Sequence, residues 1–191
     1  MSSFPANPTT SLFPSQTATV EATRSSPEEE VLALFDSLHR SLLRYAVSFG
    51  LSVHDAEDLL QEAFLALFHH LQRGHSRSNL RGWIFRVTHN LALKRRALLS
   101  AENRLVDHTC ALPENYSDSA PDPEARLLFD ERQARLLAVF HALPKNDQWC
   151  LRLRAEGLRY REISQVVQIS LGSVSASITR SMARFASLDK R

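Results

Sequence analysis

The 191-residue chain is predicted to be all-α, with two small helical domains joined by a flexible acidic linker. Three observations carry this. Apolar residues recur at i, i+3, i+4 and i+7 through most of the chain, the pattern of helices that bury one face. No stretch alternates apolar and polar residues as a half-buried strand would. The formal charge of +2 is unevenly spread, at −3 over residues 1–30, +4 over 31–98, −4 over 99–135 and +5 over 136–191. Two basic blocks around an acidic one point to two modules that face polyanions and a connector of opposite sign.

A hydrophobic share of 43% is enough to build two small cores. The longest apolar runs fall far short of the roughly 18 residues that span a bilayer, and the N-terminus lacks the basic start and apolar middle of a secretory signal. The chain is therefore expected to be soluble and cytoplasmic, with no membrane partner. Cys110 and Cys150 have no Cys or His at metal-ligand spacing. Neither a disulfide framework nor a zinc site is indicated, and the thiols read as buried or idle.

Residues 1–27 hold 15 Ser, Thr or Pro and no apolar period, so they are expected to be a disordered tail. The first domain is placed at 28–99. Ser26, Pro27 and Glu29 form a helix start of the Ser-x-x-Glu type with proline at the first position. Val31, Leu34, Phe35, Leu38, Leu42, Tyr45 and Phe49 then make one apolar face, and Gly50 ends the helix. The second helix starts near Asp55, with Leu59, Leu60, Ala63, Phe64, Leu67, Phe68 and Leu71 on its core side. A Gly-, Ser- and Arg-rich loop at 72–79 precedes a third helix from Leu80 to about Leu98.

Residues 100–126, with "LPENYSDSAPDPEA", read as the acidic linker. The second domain is placed at 127–191. Its first helix is stopped by Pro144, and breaks at Gly157 and at Gln168-Ile169-Ser170 leave three further helical pieces. A short helix "YREISQVV", a turn, and a longer helix capped by Ser170 form a helix-turn-helix pattern, whose second helix enters the DNA major groove.

Three constellations carry chemistry. Asp55 and Glu57 suit the dipole at the start of the second helix. Asp58, Gln61 and Glu62, at i, i+3 and i+4, form a polar patch suited to a basic partner surface. From Ala63 to Ala101 there is no acidic residue but seven cations, Arg73, Arg77, Arg81, Arg86, Lys94, Arg95 and Arg96. With Trp83, Phe85 and His89 interleaved, this is the footprint of a nucleic-acid surface; a solvated helical face is the simpler alternative. The helix-turn-helix is the third. His69, His70 and His75 are not a metal site, because adjacent residues on a helix point some 100° apart. No catalytic residues, cofactor site or metal site are expected, and the chain reads as a binding protein, not an enzyme.

In this order, "DAEDLLQEAFLALF", "LRGWIFRVTHNLALKRRA" and "LRLRAEGLRYREISQVVQISLGSVSASITRSMARF" resemble the bacterial sigma-70 family of RNA polymerase sigma factors, in its two-domain extracytoplasmic-function (ECF) form. The resemblance implies a sigma region 2 helical bundle and a sigma region 4 helix-turn-helix. It assigns Asp58, Gln61 and Glu62 to docking on the clamp helices of the polymerase beta-prime subunit. It assigns Arg73, His75, Arg77, Arg81, Trp83, Arg86, Asn90, Lys94, Arg95 and Arg96 to the minus-ten element, where a base is flipped from the non-template strand. Ser173, Ser175, Ser177, Arg180 and Arg184 fall on the helix that reads the minus-thirty-five element. The linker resembles the segment threading toward the RNA exit path.

The implied partners are core RNA polymerase through beta-prime and the beta flap, promoter DNA, and an anti-sigma factor as a further candidate. Three departures stand out. Gly74 replaces a frequent aromatic, Lys94 a common Asp, and Ser175 and Ser177 the usual Lys or Arg, which predicts weak or altered upstream recognition. A LuxR-like helix-turn-helix regulator would account for the last 45 residues alone, and a non-catalytic polymerase-binding regulator would share the charge pattern.

Overall fold

The computed structural model describes residues 26–102 and 123–187, with side chains in the fourth helix from Glu131 onward. The expected tail before residue 26, Cys110 and the linker residues 103–122 lie outside the described residues. The described residues form seven helices and no strand: α1 Pro27–Val47, α2 Val53–Gln72, α3 Leu80–Glu102, α4 Pro123–His141, α5 Lys145–Ala155, α6 Tyr160–Val167 and α7 Leu171–Ala186.

Helix α1 begins as its sequence requires. The Ser26 hydroxyl accepts from the Glu29 amide at 3.2 Å, and the Glu29 carboxylate accepts from the Ser26 amide at 3.2 Å, so two of the unpaired amides at the helix start are satisfied. Gly50, at φ +86°, lets the chain reverse into α2 at the left-handed conformation that glycine tolerates best.

The start of α2 differs from expectation. Ser52 is the cap, its hydroxyl accepting from the Asp55 amide at 3.0 Å and donating to the Asp55 carboxylate at 2.6 Å. The helix therefore opens at Val53, and Asp55 is the single acidic residue of its first turn. A serine directly before an unremarkable Val-His pair gives a weaker boundary signal than a carboxylate cluster.

Helices α1, α2 and α3 form a three-helix bundle around Leu42, Tyr45, Leu60, Leu67, Ile84 and Phe85, all fully buried. In the C-terminal half, α5, α6 and α7 pack on one another around Leu153, Leu158, Ile163, Val166 and Val174. Helix α4 touches α7. The turn between α6 and α7 is closed by Gln168 at φ +58° and by the Ser164 hydroxyl, which donates to the Ile169 carbonyl at 2.6 Å. The two cores are continuous, because α6 also packs along α3.

Candidate nucleic-acid interface

The carboxylates at the front of α2 divide by their surroundings. Glu57 turns toward α1, 3.0 Å from His39 Nε2, and is committed to the bundle. Asp58, Gln61 and Glu62 are exposed, and among the described residues their one ion pair is a long 3.9 Å approach between Asp58 and His54. Behind them Leu59, Leu60, Ala63 and Phe64 are buried, so the three polar groups stand on a rigid support. Glu62 also lines a shallow hollow with Leu59, Leu91, Lys94, Arg95 and Leu98, between α2 and α3.

The cations of residues 73–96 do not form one surface. Arg86, Asn90 and Lys94 are all exposed, and their i, i+4, i+8 spacing makes them a single stripe along α3. Arg95 and Arg96 flank it, half-buried. Arg81 instead faces the C-terminal domain, where its Nη2 donates to the carbonyl of Glu156. His89 is buried, not exposed: its Nδ1 shares a hydrogen bond with the Tyr45 hydroxyl at 2.7 Å, and burial lowers its pKa to about 4.

The loop before α3 is tied at both ends. Arg73 caps the C-terminus of α2, and Gly74 takes φ +69°. Arg77 Nε donates to the Glu30 carboxylate at 3.1 Å, which couples the loop to α1. Asn79, at φ +55°, accepts from the Gly82 amide at 3.1 Å; a Cβ at position 82 would overlap its side chain, so glycine there admits the cap. The rings of His75, His70 and Trp83 form a ladder, with centroids 5.0 Å and 4.6 Å apart. His70 Nε2 donates to the Ser76 carbonyl at 3.0 Å, which holds the middle rung. His75, at the open end, is exposed and offers a ring face where Gly74 offers none.

In the helix-turn-helix, Ser170 caps α7 by accepting from the Ser173 amide at 3.1 Å, and the Ser170 and Ser173 hydroxyls are 2.8 Å apart. Ser175 and Arg184 are exposed. Ser177 is not: it is buried at 5% exposure on the inner face of α7 with Val174, Ile178 and Ser181, and it hydrogen-bonds to Asp147. Arg180 is held by the same carboxylate through Nε at 3.1 Å and Nη2 at 3.0 Å. The outward stripe of α7, Gly172, Ala176, Thr179 and Ala183, is small and uncharged.

The structure adds residues that the sequence reading passed over. Arg159, Tyr160 and Arg161 line a hollow with Leu171, Gly172 and Ser175, where the N-termini of α6 and α7 meet. The Arg159 and Ser173 amides at these helix starts are taken by the Glu162 carboxylate and the Ser170 hydroxyl, so the two arginines alone give the rim of the hollow its positive charge. The pattern "RYRE" was visible, but only the α6–α7 packing shows that it borders the start of α7. Cys150 is buried, and burial raises its thiol to about 11, which leaves it unreactive at neutral pH.

Residues 34–100 match the family model Sigma-70 region 2, and residues 133–185 match Sigma-70, region 4. The chain is 32% identical over 178 residues to an ECF RNA polymerase sigma factor, SigE, of Mycolicibacterium smegmatis; the match covers 87% of this chain and 65% of that protein. It is 29% identical over 145 residues to the RNA polymerase sigma-H factor of Pseudomonas aeruginosa, covering 73% and 75% of the two chains. Among solved structures, the sigma factor RpoE bound to the anti-sigma factor NepR of Bartonella quintana superposes with a TM-score of 0.61 at 17% identity, over 85% of this chain and 96% of that one. CnrH in complex with the cytosolic domain of CnrY gives 0.57 at 21% identity, over 85% and 89%. At these identities the two structures show a shared fold.

Proposed function

Because the chain belongs to the sigma-70 family of RNA polymerase sigma factors, in its ECF form, we propose that it is a dissociable subunit that brings core polymerase to promoters and opens them. The observation that carries this reading is the order of two independent family matches, region 2 and then region 4, on the two helical domains. A LuxR-like regulator would leave residues 34–100 unexplained.

The physical division of labour follows from the surfaces. Asp58, Gln61 and Glu62 present charge and hydrogen-bonding groups to a basic helical surface of polymerase, for which a rigid backing keeps the ordering cost low. The Arg86, Asn90 and Lys94 stripe, flanked by Arg95 and Arg96, tracks the phosphates of a separated strand. Trp83, His70 and His75 give a stacking ladder beside it. Extruding a base costs a few kcal/mol, and stacking on such a platform contributes about 1–3 kcal/mol per base. No bond is made or broken by the protein itself; it acts by binding.

Upstream recognition rests on fewer groups than the family pattern supplies. With Ser177 inside the core and Arg180 held by Asp147, the cations nearest the α7 surface are Arg159, Arg161 and Arg184. The neutral outward stripe favours phosphate contacts and DNA shape over base hydrogen bonds. In its cellular setting the protein works in the cytoplasm, and among the described residues no helix is long and apolar enough to cross a membrane. An anti-sigma protein is a further partner, a reading supported by one neighbour of the same fold, RpoE, whose solved complex carries the anti-sigma factor NepR.

The decisive experiment mixes purified protein with core RNA polymerase and fragmented genomic DNA and sequences the run-off transcripts. New start sites, absent with core polymerase alone, are expected; their absence overturns the reading.

A further inference from the structure

We propose that the open hollow between the starts of α6 and α7 is a thymine-selecting pocket, in which Leu171 and Tyr160 take the 5-methyl group of one thymine of the upstream element. That the thymine belongs to an upstream promoter element rests on the promoter reading above; the preference for the methyl group does not.

The place of the hollow fixes what can occupy it. It is continuous with the N-terminal part of α7, the part of a helix-turn-helix that meets base edges in the major groove, and α7 lies within the match to sigma region 4. Arg159 and Arg161 stand on its rim, both exposed. Glu162, the one acid of α6, is half-buried, and its carboxylate turns back to accept from the Arg159 amide at 2.7 Å, which leaves the rim to the two arginines. A polyanion is the occupant that such a rim favours.

The floor is of the opposite kind. Leu171, the first residue of α7, is 47% exposed, and Tyr160, the first of α6, is 36% exposed. A single exposed leucine is ordinary on a protein surface. Here two large apolar side chains, neither of them part of the core cluster, share one concavity on the face that meets DNA. Tyr160 is held in place: the Arg154 guanidinium stands 5.6 Å from its ring centroid, and Arg154 Nη1 donates to the Leu158 carbonyl at 3.1 Å. The floor is therefore formed before DNA arrives, and little ordering is left to be done on binding.

The base-reading part of α7 has little else with which to discriminate. Over residues 171–179 the exposed side chains are those of Leu171, Ser173, Ser175, Ala176 and Thr179, and none is charged or an amide. The Ser173 hydroxyl lies 2.8 Å from that of Ser170. The Ser175 and Thr179 hydroxyls can each donate or accept, so they suit any base edge. Thymine alone of the four bases presents a methyl group in the major groove. An apolar floor between two phosphate-binding arginines thus selects thymine by burying that methyl, without a base hydrogen bond.

The test uses the full chain, immobilised through a tag and mixed with core RNA polymerase, and a pool of randomised duplex DNA. Duplexes retained by the mixture and not by core polymerase alone are sequenced, and the strongest is remade with deoxyuridine at one thymidine position at a time. Uracil pairs as thymine does and lacks only the 5-methyl group. Anisotropy of the fluorescein-labelled duplexes gives the affinities. At one thymine, uracil is expected to weaken binding about fourfold, the ratio produced by roughly 0.8 kcal/mol for a buried methyl. Leu171→Ala should bind the thymine duplex about fourfold more weakly than the parent and lose nothing further to uracil at that position. Leu171→Met, which keeps an apolar side chain of similar volume, should retain the discrimination. Arg159→Ala should weaken thymine and uracil duplexes alike and reduce the salt slope by about one unit.

Indifference to uracil at every position overturns the pocket, as does a fourfold loss that survives in Leu171→Ala or a pool from which no duplex is retained. Discrimination that vanishes in Leu171→Ala, in a protein that yields no run-off transcripts, leaves the pocket standing and removes the sigma reading instead. Run-off transcripts together with duplexes indifferent to the methyl group do the reverse.

Discussion

The carboxylate of Asp147, at the start of α5, grips Arg180 of α7 with both oxygens, Oδ2 to Nε at 3.1 Å and Oδ1 to Nη2 at 3.0 Å, and so fastens the recognition helix to the helix beneath it. Burial raises the pKa of Asp147, but hydrogen bonds from Arg180 and Ser177 and the nearby charge of Arg184 outweigh it and hold the carboxyl below its ordinary value. A carboxylate with a depressed folded pKa stabilises the fold fully above its unfolded value of about 3.9, and that stabilisation is lost as pH falls through the lower folded value. Asp147→Asn is expected to lower the urea midpoint of the C-terminal domain at pH 7 and to flatten the acid limb below about pH 4. Circular dichroism against urea at pH 7 and pH 3 measures both; an acid limb as steep as the parent's would show that Asp147 is not the group titrating.

Ser175 and Ser177, which depart together from the family pattern, should respond oppositely to arginine. Ser175 is exposed on the rim of the hollow formed with Arg159 and Arg161, so Ser175→Arg adds a phosphate contact there and should steepen the slope of log affinity against log salt by about one unit. Ser177 lies at 5% exposure in the α5–α7 contact. Ser177→Arg forces a long side chain into a filled space and should cost about 1–3 kcal/mol of stability. Salt titrations on duplex DNA and thermal melts of the two variants separate these effects.

The polymerase-facing role of α2 can be tested apart from its folding. Asp58 and Gln61 are exposed and contribute nothing to the buried core, so Asp58→Ala with Gln61→Ala should leave helix content unchanged and unfolding free energy within about 0.5 kcal/mol of the parent. Affinity for core polymerase should fall by roughly tenfold, as about 1.4 kcal/mol requires. Arg95→Ala with Arg96→Ala should keep core affinity and slow promoter opening. Equal core affinity in the first pair would refute the docking role.

How far the sequence could be read depended on whether a residue's partner lay nearby in the chain. Ser26 and Glu29, three apart, announced the start of α1 and met as read. The apolar faces of α1 and α2 followed from period alone, apart from Phe35, which period placed on the α1 face and which stands 39% exposed. Pairs distant in the chain were illegible: Asp147 with Arg180 is 33 positions apart, and Arg44 with Glu156 is 112. For that reason Arg180 read as a free cation and Arg81 as part of an open footprint. Ser177 was misread for another reason. It sits one turn after Val174 and beside Ile178, so period placed it inside, but a helix-turn-helix pattern drew attention to its polar side chain instead.

Tyr45 and His89 make an acid-sensitive contact in the N-terminal domain. The Tyr45 hydroxyl and His89 Nδ1 share a hydrogen bond at 2.7 Å, both side chains are buried, and burial lowers the histidine from 6.5 to about 4. A histidine depressed in this way is neutral in the fold, so its protonation favours the unfolded chain. Stability is then complete above about pH 6.5 and declines as pH falls from there toward 4, by a total of about 3 kcal/mol. This window lies above the one in which Asp147 acts, so the two domains should lose stability at different pH. His89→Gln keeps an acceptor for Tyr45 and removes the proton, and it should abolish the decline between pH 6.5 and 4 while leaving the limb below pH 4 intact. Urea midpoints taken every half unit from pH 7 to pH 3 give the comparison, and a parent curve flat across the upper window would refute the buried neutral state of His89.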